Sequence, residues 1–406
     1  MAYVAPSSRA AMPEGTGHAP SVAPRRPAVS LVWDDRFRDY DFGREHPFTE
    51  RSRALAVGLL RAAVPAGEAT PVEWLGPVDP APRSLLESFH RREYLAFVEA
   101  TGAAAEPGFL DSGDTPGFPG CYAAAARIVA GADQGLERTL TEGRPAYHPA
   151  GGLHHAHPDR ASGFCIFNDV AIAVGRAVRE HRKVAYIDID AHHGDGVMYG
   201  FYDSGRVLDI DFHQDGRTLF PGTGFPTETG RGDGAGLKVN LPLPPGAGDP
   251  ALLPLFRRVV PSLLRSFRPE VIVLQHGVDG HVDDALARLQ YTPAAYAEID
   301  RTVLALAQEV SGGRLLVTGG GGYRASSVSR VLARAGAILA GIEPPSGGDP
   351  LPEGWRAEFF EETGEAAPAT WGESPTPTAS PWRPEHESKL ISTLEEELGQ
   401  RFAAPD

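Results

Sequence analysis

Short apolar runs rich in β-branched residues alternate with longer helical patterns through the middle of this chain. The apolar runs lie at residues 29–33, 184–187, 207–210, 271–274 and 315–317. The helical patterns lie at about residues 168–181, 250–267, 293–310 and 327–340. Alternation at this spacing is typical of a mostly parallel sheet covered by helices, so we predict an α/β fold. A length of 406 residues fits one large domain or two smaller ones.

Composition separates both ends of the chain from this central region. Residues 1–28 are rich in Ala, Pro and Ser, and we predict a disordered tail there. The main domain is expected over residues 29–342. Beyond it, residues 343–406 form a Pro-rich extension, predicted as an extended surface segment up to about residue 384 followed by a terminal helix.

Bulk composition excludes several classes of protein. The net charge is −15, and no basic patch offsets it, so direct binding to nucleic acid is disfavoured. No apolar run is long enough to cross a membrane, and no signal-peptide pattern opens the chain. The two cysteines, Cys121 and Cys165, cannot build a disulfide framework. We therefore expect a cytoplasmic protein.

Polar residues follow each of the central apolar runs. They are Asp-Ile-Asp-Ala-His-His-Gly-Asp-Gly at 188–196, Asp-Phe-His at 211–213, Gln-His-Gly-Val-Asp at 275–279 and four glycines before Tyr323. Upstream, residues 146–148 lead into Gly-Gly-Leu-His-His at 151–155. Ligands of open parallel sheets bind beyond the carboxyl ends of the strands, so these ends predict one shared cleft.

The densest of these clusters has the character of a metal site. Asp190 and His192 are two residues apart, so on a strand both side chains face the same way. Asp279, at the end of another run, is the candidate third ligand, and three protein ligands leave a position open for water. The alternative is a solvated loop, which the surrounding pattern after an apolar strand disfavours.

Adjacent histidines and a tyrosine complete the candidate chemistry. If Asp188 and Asp195 bond to His154 and His155, the two His–Asp pairs supply a general base and a general acid. Alternatively, the histidines are structural, surface-exposed or metal ligands. Tyr323 follows a flexible glycine turn and is placed to donate to a developing oxyanion. A phosphate-binding loop is disfavoured, because the Lys-Ser/Thr ending and the dinucleotide glycine spacing are both missing.

Taken together, these segments resemble the histone deacetylase superfamily and, within it, the bacterial acetoin-utilisation deacetylases close to class I. The matching segments recur in family order: 46–48, 151–156, 162–165, 168–169, 186–197, 220–224, 275–281 and 319–323. The resemblance implies a single arginase-like α/β domain with a central, mostly parallel sheet of about eight strands. It also implies zinc-dependent, or iron-dependent, hydrolysis of an acetylated amine.

The resemblance assigns roles to individual residues. The implied metal ligands are Asp190, His192 and Asp279, and the implied catalytic residues are His154, His155, Asp188, Asp195 and Tyr323. The implied substrate-binding residues are Asp114 at the rim, Gly163, and the tunnel walls Phe164 and Phe220. A structural potassium ion is expected near Asp188, Asp190, His192, Asp211 and Phe212, where Asp211 replaces the serine of many relatives. Either Arg51 or Arg53 takes the internal-channel role.

The expected substrate is acetyl-lysine on a protein or peptide, such as an acyl-CoA synthetase. Three alternatives stand beside it. An arginase-type site with two manganese ions would need a further carboxylate beside Asp279, which residues 278–281 do not offer. An acetylpolyamine amidohydrolase would act on a small free amine. An inactive acetyl-lysine-binding module would be expected to lack part of the site, yet every part is present.

Overall fold

The computed structural model describes residue 1 and residues 28–64, 71–372 and 382–398. Most of the predicted tail over residues 1–28 therefore lies outside the described residues. The strands are β1 Val29–Val32, β2 Val72–Leu75, β3 Ala146–His148, β4 Val184–Asp188, β5 Val207–Gln214, β6 Lys238–Leu243, β7 Val271–Gln275 and β8 Leu315–Thr318. They form one sheet in the order β2-β1-β3-β8-β7-β4-β5-β6, and every pair is parallel. The predicted α/β class is confirmed.

Helices cover both faces of this sheet. They are α1 Arg51–Ala63, α2 Arg83–Leu86, α3 Arg92–Ala103, α4 Cys121–Glu142, α5 Asp169–Arg179, α6 Asp195–Gly200, α7 Asp249–Phe267, α8 Pro293–Val310, α9 Ala325–Leu339, α10 Glu353–Thr363 and α11 Pro384–Leu398. Strand β4 shows why the central strands are apolar throughout. Ala185 and Ile187 belong to one core, whereas Val184 and Tyr186 belong to the core on the other face.

The strand order explains the predicted shared cleft. The five strands whose carboxyl ends carry His, Asp, Gly or Tyr are β3, β8, β7, β4 and β5, and they are consecutive neighbours in the sheet. All of them run in the same direction, so their polar ends meet along one edge. The topology thus collects residues that lie far apart in the sequence.

The sequence pattern did not predict β2 and β6, the strands at the two edges of the sheet. Strand β6 carries Lys238, Asn240 and Pro242, which break the apolar run expected of a parallel strand. Pro242 is tolerated because an edge strand needs hydrogen bonds on one side only. The buried Lys238 keeps a partner, since its Nζ donates to the carbonyl oxygen of Val207 at 2.6 Å.

The prediction of an extended segment up to residue 384 was wrong in part. Helix α10 forms there, immediately after Pro352, because prolines flank this stretch without interrupting it. Trp355 and Phe359 are buried, and Trp355 Nε1 donates to the carbonyl oxygen of Leu55 in α1 at 2.9 Å. Helix α11 begins near the predicted start of the terminal helix. Predicted residues beyond 398 lie outside the described residues.

Two further findings concern the whole of the described chain. None of its helices combines the length and the apolar character that a bilayer span needs. Cys121 and Cys165 are both buried free thiols.

Candidate active site

Asp190, His192 and Asp279 come together beyond the ends of β4 and β7. Each side chain offers one ligand atom, these atoms all lie within 4.8 Å of one another, and the three residues are buried. His192 Nδ1 lies 2.7 Å from Asp279 Oδ2 and 3.2 Å from Asp190 Oδ1. The structure thus assembles the three predicted metal ligands from two separate strand ends.

The charges of this cluster fit a divalent cation. Burial, and then the nearby carboxylate of Asp190, raise the pKa of Asp279 to about 8. Burial disfavours the charged form of His192, but Asp279 and Asp190 outweigh it and raise the pKa of His192 to about 10. Carboxylate oxygen and imidazole nitrogen are both ligand types that zinc accepts, and three protein ligands leave a fourth position open, as in catalytic zinc sites. The residues present therefore suit the implied metal.

Backbone amides hold the ligand carboxylates in place. Asp190 Oδ2 accepts a hydrogen bond from the amide of Gly321 at 2.7 Å, and Asp279 Oδ1 accepts one from Ala191 at 2.6 Å. A Cβ atom added at Gly277 would collide with the Asp190 carboxylate, and one added at Gly321 would collide with that of Asp279. Glycine at these two positions lets the backbone approach the ligands closely.

The two histidines form the predicted pairs with aspartates. His154 Nδ1 donates to Asp188 Oδ2 at 2.8 Å, and His155 Nδ1 donates to Asp195 Oδ1 at 2.8 Å. The two Nε2 atoms face each other at 3.0 Å. Each carboxylate therefore fixes the orientation of one ring.

The two histidines hold protons very differently. Burial lowers the pKa of His154, but the charges of Asp188 and Asp190 outweigh it and raise that pKa to about 10. Burial, and then the charge on His154, lower the pKa of His155 to about 4. At neutral pH, His154 carries the proton and His155 is a neutral base.

His157 also belongs to this network, although it was not among the predicted site residues. His157 Nε2 donates to the second oxygen of Asp195 at 3.0 Å, so Asp195 serves two histidines. The signal was present, since His157 is the third histidine within residues 154–157. Asn168 holds the same loop, because its Nδ2 donates to the carbonyl oxygens of His154 at 2.8 Å and Ala156 at 2.9 Å.

Aromatic rings flank the approach to the metal ligands. The Tyr323 ring centroid lies 6.2 Å from that of His192 and 5.9 Å from that of Phe164. The Phe220 ring, with the residue 42% exposed, lies 5.1 Å from the His155 ring. Burial raises the pKa of Tyr323 well above its ordinary value, which keeps the phenol protonated as a hydrogen-bond donor. The roles of Phe164 and Phe220 as tunnel walls and of Tyr323 as oxyanion donor stay predictions.

Gly163 and Asp114 also lie near this approach. Gly163 has a φ of +53°, and a Cβ atom there would clash with the rings of His155 and Phe220. Asp114 is exposed, and its neighbour Thr115 accepts a hydrogen bond from the Phe164 amide at 3.1 Å. The loop that carries Asp114 is therefore attached to one wall of the approach.

The structure separates the two candidate arginines. Arg51 reaches the surface, where it pairs with Asp41 at 2.8 Å. Arg53 is buried and donates to the carbonyl oxygens of Gly322 at 3.3 Å and of Gly320. Of the two, Arg53 is the one in contact with the active-site loop.

The residues of the predicted potassium site lie next to the histidine pair. Asp211 pairs with Asp188 in the register of β4 and β5, with Phe212 following on the same strand. The Asp211 carboxylate accepts hydrogen bonds from the Gly194 amide and from His213 Nδ1, both at 2.7 Å. Potassium binding there stays a prediction.

Comparison with known proteins shows which family the chain belongs to. A family model described as the histone deacetylase domain matches residues 46–339. The chain belongs to the histone deacetylase family. Its relatives include acetoin utilization protein AcuC of Bacillus subtilis (strain 168), 34% identical over 354 residues that cover 84% of this chain and 89% of the relative. AcuC of Staphylococcus xylosus is 34% identical over 357 residues, which cover 85% of this chain and 90% of the relative.

The predicted superfamily is thereby confirmed, and the chain is an AcuC-like member of it. The family makes the protein a deacetylase, a hydrolase that acts on an acetylated amine. The eight-stranded parallel sheet is consistent with the arginase and deacetylase fold.

Proposed function

We propose that this protein is a zinc-dependent deacetylase, with iron as the alternative metal, that hydrolyses N6-acetyl-lysine in proteins or peptides. One observation carries the proposal: a buried Asp-His-Asp cluster lies beside a neutral His155, and aromatic rings flank the approach to it. The narrow methylene stem of an acetyl-lysine side chain would pack between such rings, with its acetyl group at the metal ligands.

Asp190, His192 and Asp279 would hold the metal, and Tyr323 lies close to them. When bound, the metal supplies a Lewis acid that polarises the acetyl carbonyl and makes water a stronger acid. His155 takes the proton of the attacking water, because it is the unprotonated member of the pair. Its bond to Asp195 stabilises the imidazolium that results.

Tyr323 donates its phenol proton in a hydrogen bond to the oxyanion of the tetrahedral intermediate. His155 then returns its proton to the leaving lysine amine, while the charge on His154 keeps His155 a weak base that releases the proton readily. Phe164 and Phe220 contact the lysine stem, Gly163 leaves room beside them, and Asp114 binds the substrate backbone at the rim.

Two further proposals concern the setting of the enzyme. A structural potassium ion near Asp188 and Asp211 would balance their buried charge. The names of the AcuC relatives refer to acetoin utilisation, which is a metabolic process. The protein substrate that we propose is therefore an acetylated metabolic enzyme, such as an acyl-CoA synthetase. The buried free thiols support a reducing cytoplasmic location.

Steady-state kinetics on three substrates test the proposal. One enzyme preparation is assayed with an acetyl-lysine peptide, acetyl-putrescine and arginine as substrates. The zinc, iron and manganese contents of that preparation are also measured. We expect the highest kcat/KM for the peptide and one metal ion per chain. Asp279→Asn should lose both metal and turnover, whereas the exposed control Asp233→Asn should keep both. A higher kcat/KM for acetyl-putrescine than for the peptide would favour an acetylpolyamine amidohydrolase. Hydrolysis of arginine would refute the deacetylase assignment.

A further inference from the structure

Glu50 is a buried carboxyl group without a role in the chemistry described above. It lies just before α1, and the residue is only 2% exposed. Within the described ranges, neither of its carboxyl oxygens has a hydrogen-bond partner. An unpaired buried carboxylate is strongly disfavoured, so this group needs either a proton or a cation.

Among the residues that the structure describes, three ionisable groups from different parts of the fold interact electrostatically with Glu50. Arg53 lies one turn further along α1, Asp169 begins α5, and Tyr40 belongs to the segment before α1. Burial raises the pKa of Glu50 to about 8, with Arg53 lowering it and Asp169 raising it. The Tyr40 hydroxyl is already used, since it donates to the carbonyl oxygen of Phe164 at 2.7 Å.

Arg53 connects Glu50 to the active site. Its guanidinium donates to the carbonyl oxygens of Gly320 and Gly322, and it lies 4.7 Å from the Phe48 ring centroid. The glycine loop held in this way leads directly to Tyr323. The same buried guanidinium also acts on the Glu50 carboxyl group, because its positive charge lowers the pKa of Glu50.

We propose that Glu50 is a positioning residue that acts on Tyr323 through Arg53. While Glu50 keeps its proton, Arg53 remains bonded to the Gly320 and Gly322 carbonyls. When Glu50 ionises, Arg53 turns to pair with it and releases the loop, so Tyr323 loses its place beside the metal ligands. The catalytic part of this inference rests on the proposed function, whereas the movement of the loop does not.

The first test compares the pH–rate profile of the full-length wild-type enzyme with that of the Glu50→Gln variant, whose residue 50 side chain cannot ionise. We expect the wild-type kcat on an acetyl-lysine peptide to fall by up to about tenfold per pH unit above the pKa of Glu50. In Glu50→Gln, kcat should stay at its plateau value for at least one more pH unit, to about pH 9. The matched control is Glu45→Gln, an exposed residue of the same segment, which should follow the wild type. Superimposable profiles of wild type and Glu50→Gln would overturn the proposal.

The second test reads the loop directly and does not need turnover. Hydrogen exchange of the peptide spanning residues 319–323 is measured at pH 7 and pH 9.5 and corrected for the intrinsic pH dependence. We expect about tenfold lower protection at high pH in the wild type and unchanged protection in Glu50→Gln. Should Glu50→Gln fail to fold, Glu50→Met takes its place. Constant wild-type protection refutes the loop movement, whereas an absence of peptide hydrolysis refutes only the proposed function.

Discussion

At the scale of single residues, the adjacent histidines divide one task between them. His154 lies between two carboxylates and holds its proton, and that charge lowers the pKa of its neighbour. His155 is bonded to Asp195 and stays neutral, which suits the general base that we propose. Two side chains of the same type thereby acquire different roles, because their surroundings differ.

His154→Gln should move the acid limb of kcat/KM to higher pH. Burial and the charge on His154 lower the pKa of His155 to about 4, and in the proposed mechanism His155 acts in its unprotonated form. Removing the charge on residue 154 raises the pKa of His155. On acidification, His155 is then protonated at a higher pH, and activity is lost at that higher pH. The profile is measured between pH 4 and 8, with the exposed His181→Gln as the control. An unmoved acid limb would contradict the role of His154.

Tyr323→Phe should lower kcat on an acetyl-lysine peptide by about 10²–10³-fold, the cost of removing one oxyanion donor. The ring stays, so its packing against Phe164 and the value of KM should change little. Tyr202→Phe, outside the active site, is the matched control. A kcat within twofold of the wild type would remove Tyr323 from the mechanism.

At the scale of elements, the loop after β8 does three things at once. Gly321 donates its amide to Asp190, Gly320 and Gly322 accept from Arg53, and the loop ends at Tyr323. Any side chain at Gly321 would enter the space of the metal ligands. The glycine run is thus a packing requirement of the Asp190–His192–Asp279 cluster, not simply a flexible turn.

Gly321→Ala tests that requirement. The added methyl group should displace the Asp279 carboxylate and weaken metal affinity by about 10–100-fold, as is usual when ligand support is lost. Zinc affinity is measured by competition with a chelating dye. Gly348→Ala is the control, because a Cβ atom there meets nothing within 4 Å. Unchanged zinc affinity would show that the ligands tolerate the displacement.

At the scale of the whole molecule, the C-terminal extension supports the domain. Helix α10 packs on α1 through the buried Trp355, and Arg38 pairs with Glu362 at 2.7 Å. Because α1 also carries Arg53, the extension supports the helix that holds the active-site loop. The proline-rich composition of this region concealed that contribution.

The net charge of −15 should assist the capture of cationic substrates. We expect kcat/KM for an acetyl-lysine peptide flanked by Arg and Lys to fall by up to about tenfold between low salt and 0.3 M salt, the lower end of electrostatic steering. A peptide with neutral flanks serves as the control and should be insensitive to salt. An equal response of both peptides would argue against steering.

The sequence alone determined the fold class and the chemistry of the strand ends. The strands at the centre of the sheet are buried on both faces, so they must be apolar, and their polar ends stand out. The edge strand β6 escaped detection, because one side of it needs no partner and polar residues are tolerated there. Helix α10 escaped detection, because the prolines around it were read as interrupting it.

Only the tertiary structure decided how these residues contact one another. Asp190 and Asp279 are distant in the chain, and they meet because β4 and β7 are parallel neighbours. The different proton affinities of His154 and His155 depend on burial and on charges brought from other elements. The contact of Arg53 with the glycine loop and the isolation of the Glu50 carboxyl group likewise depend on packing between elements. Local sequence specifies which groups are available, whereas their pKa values and contacts arise from packing across the sheet.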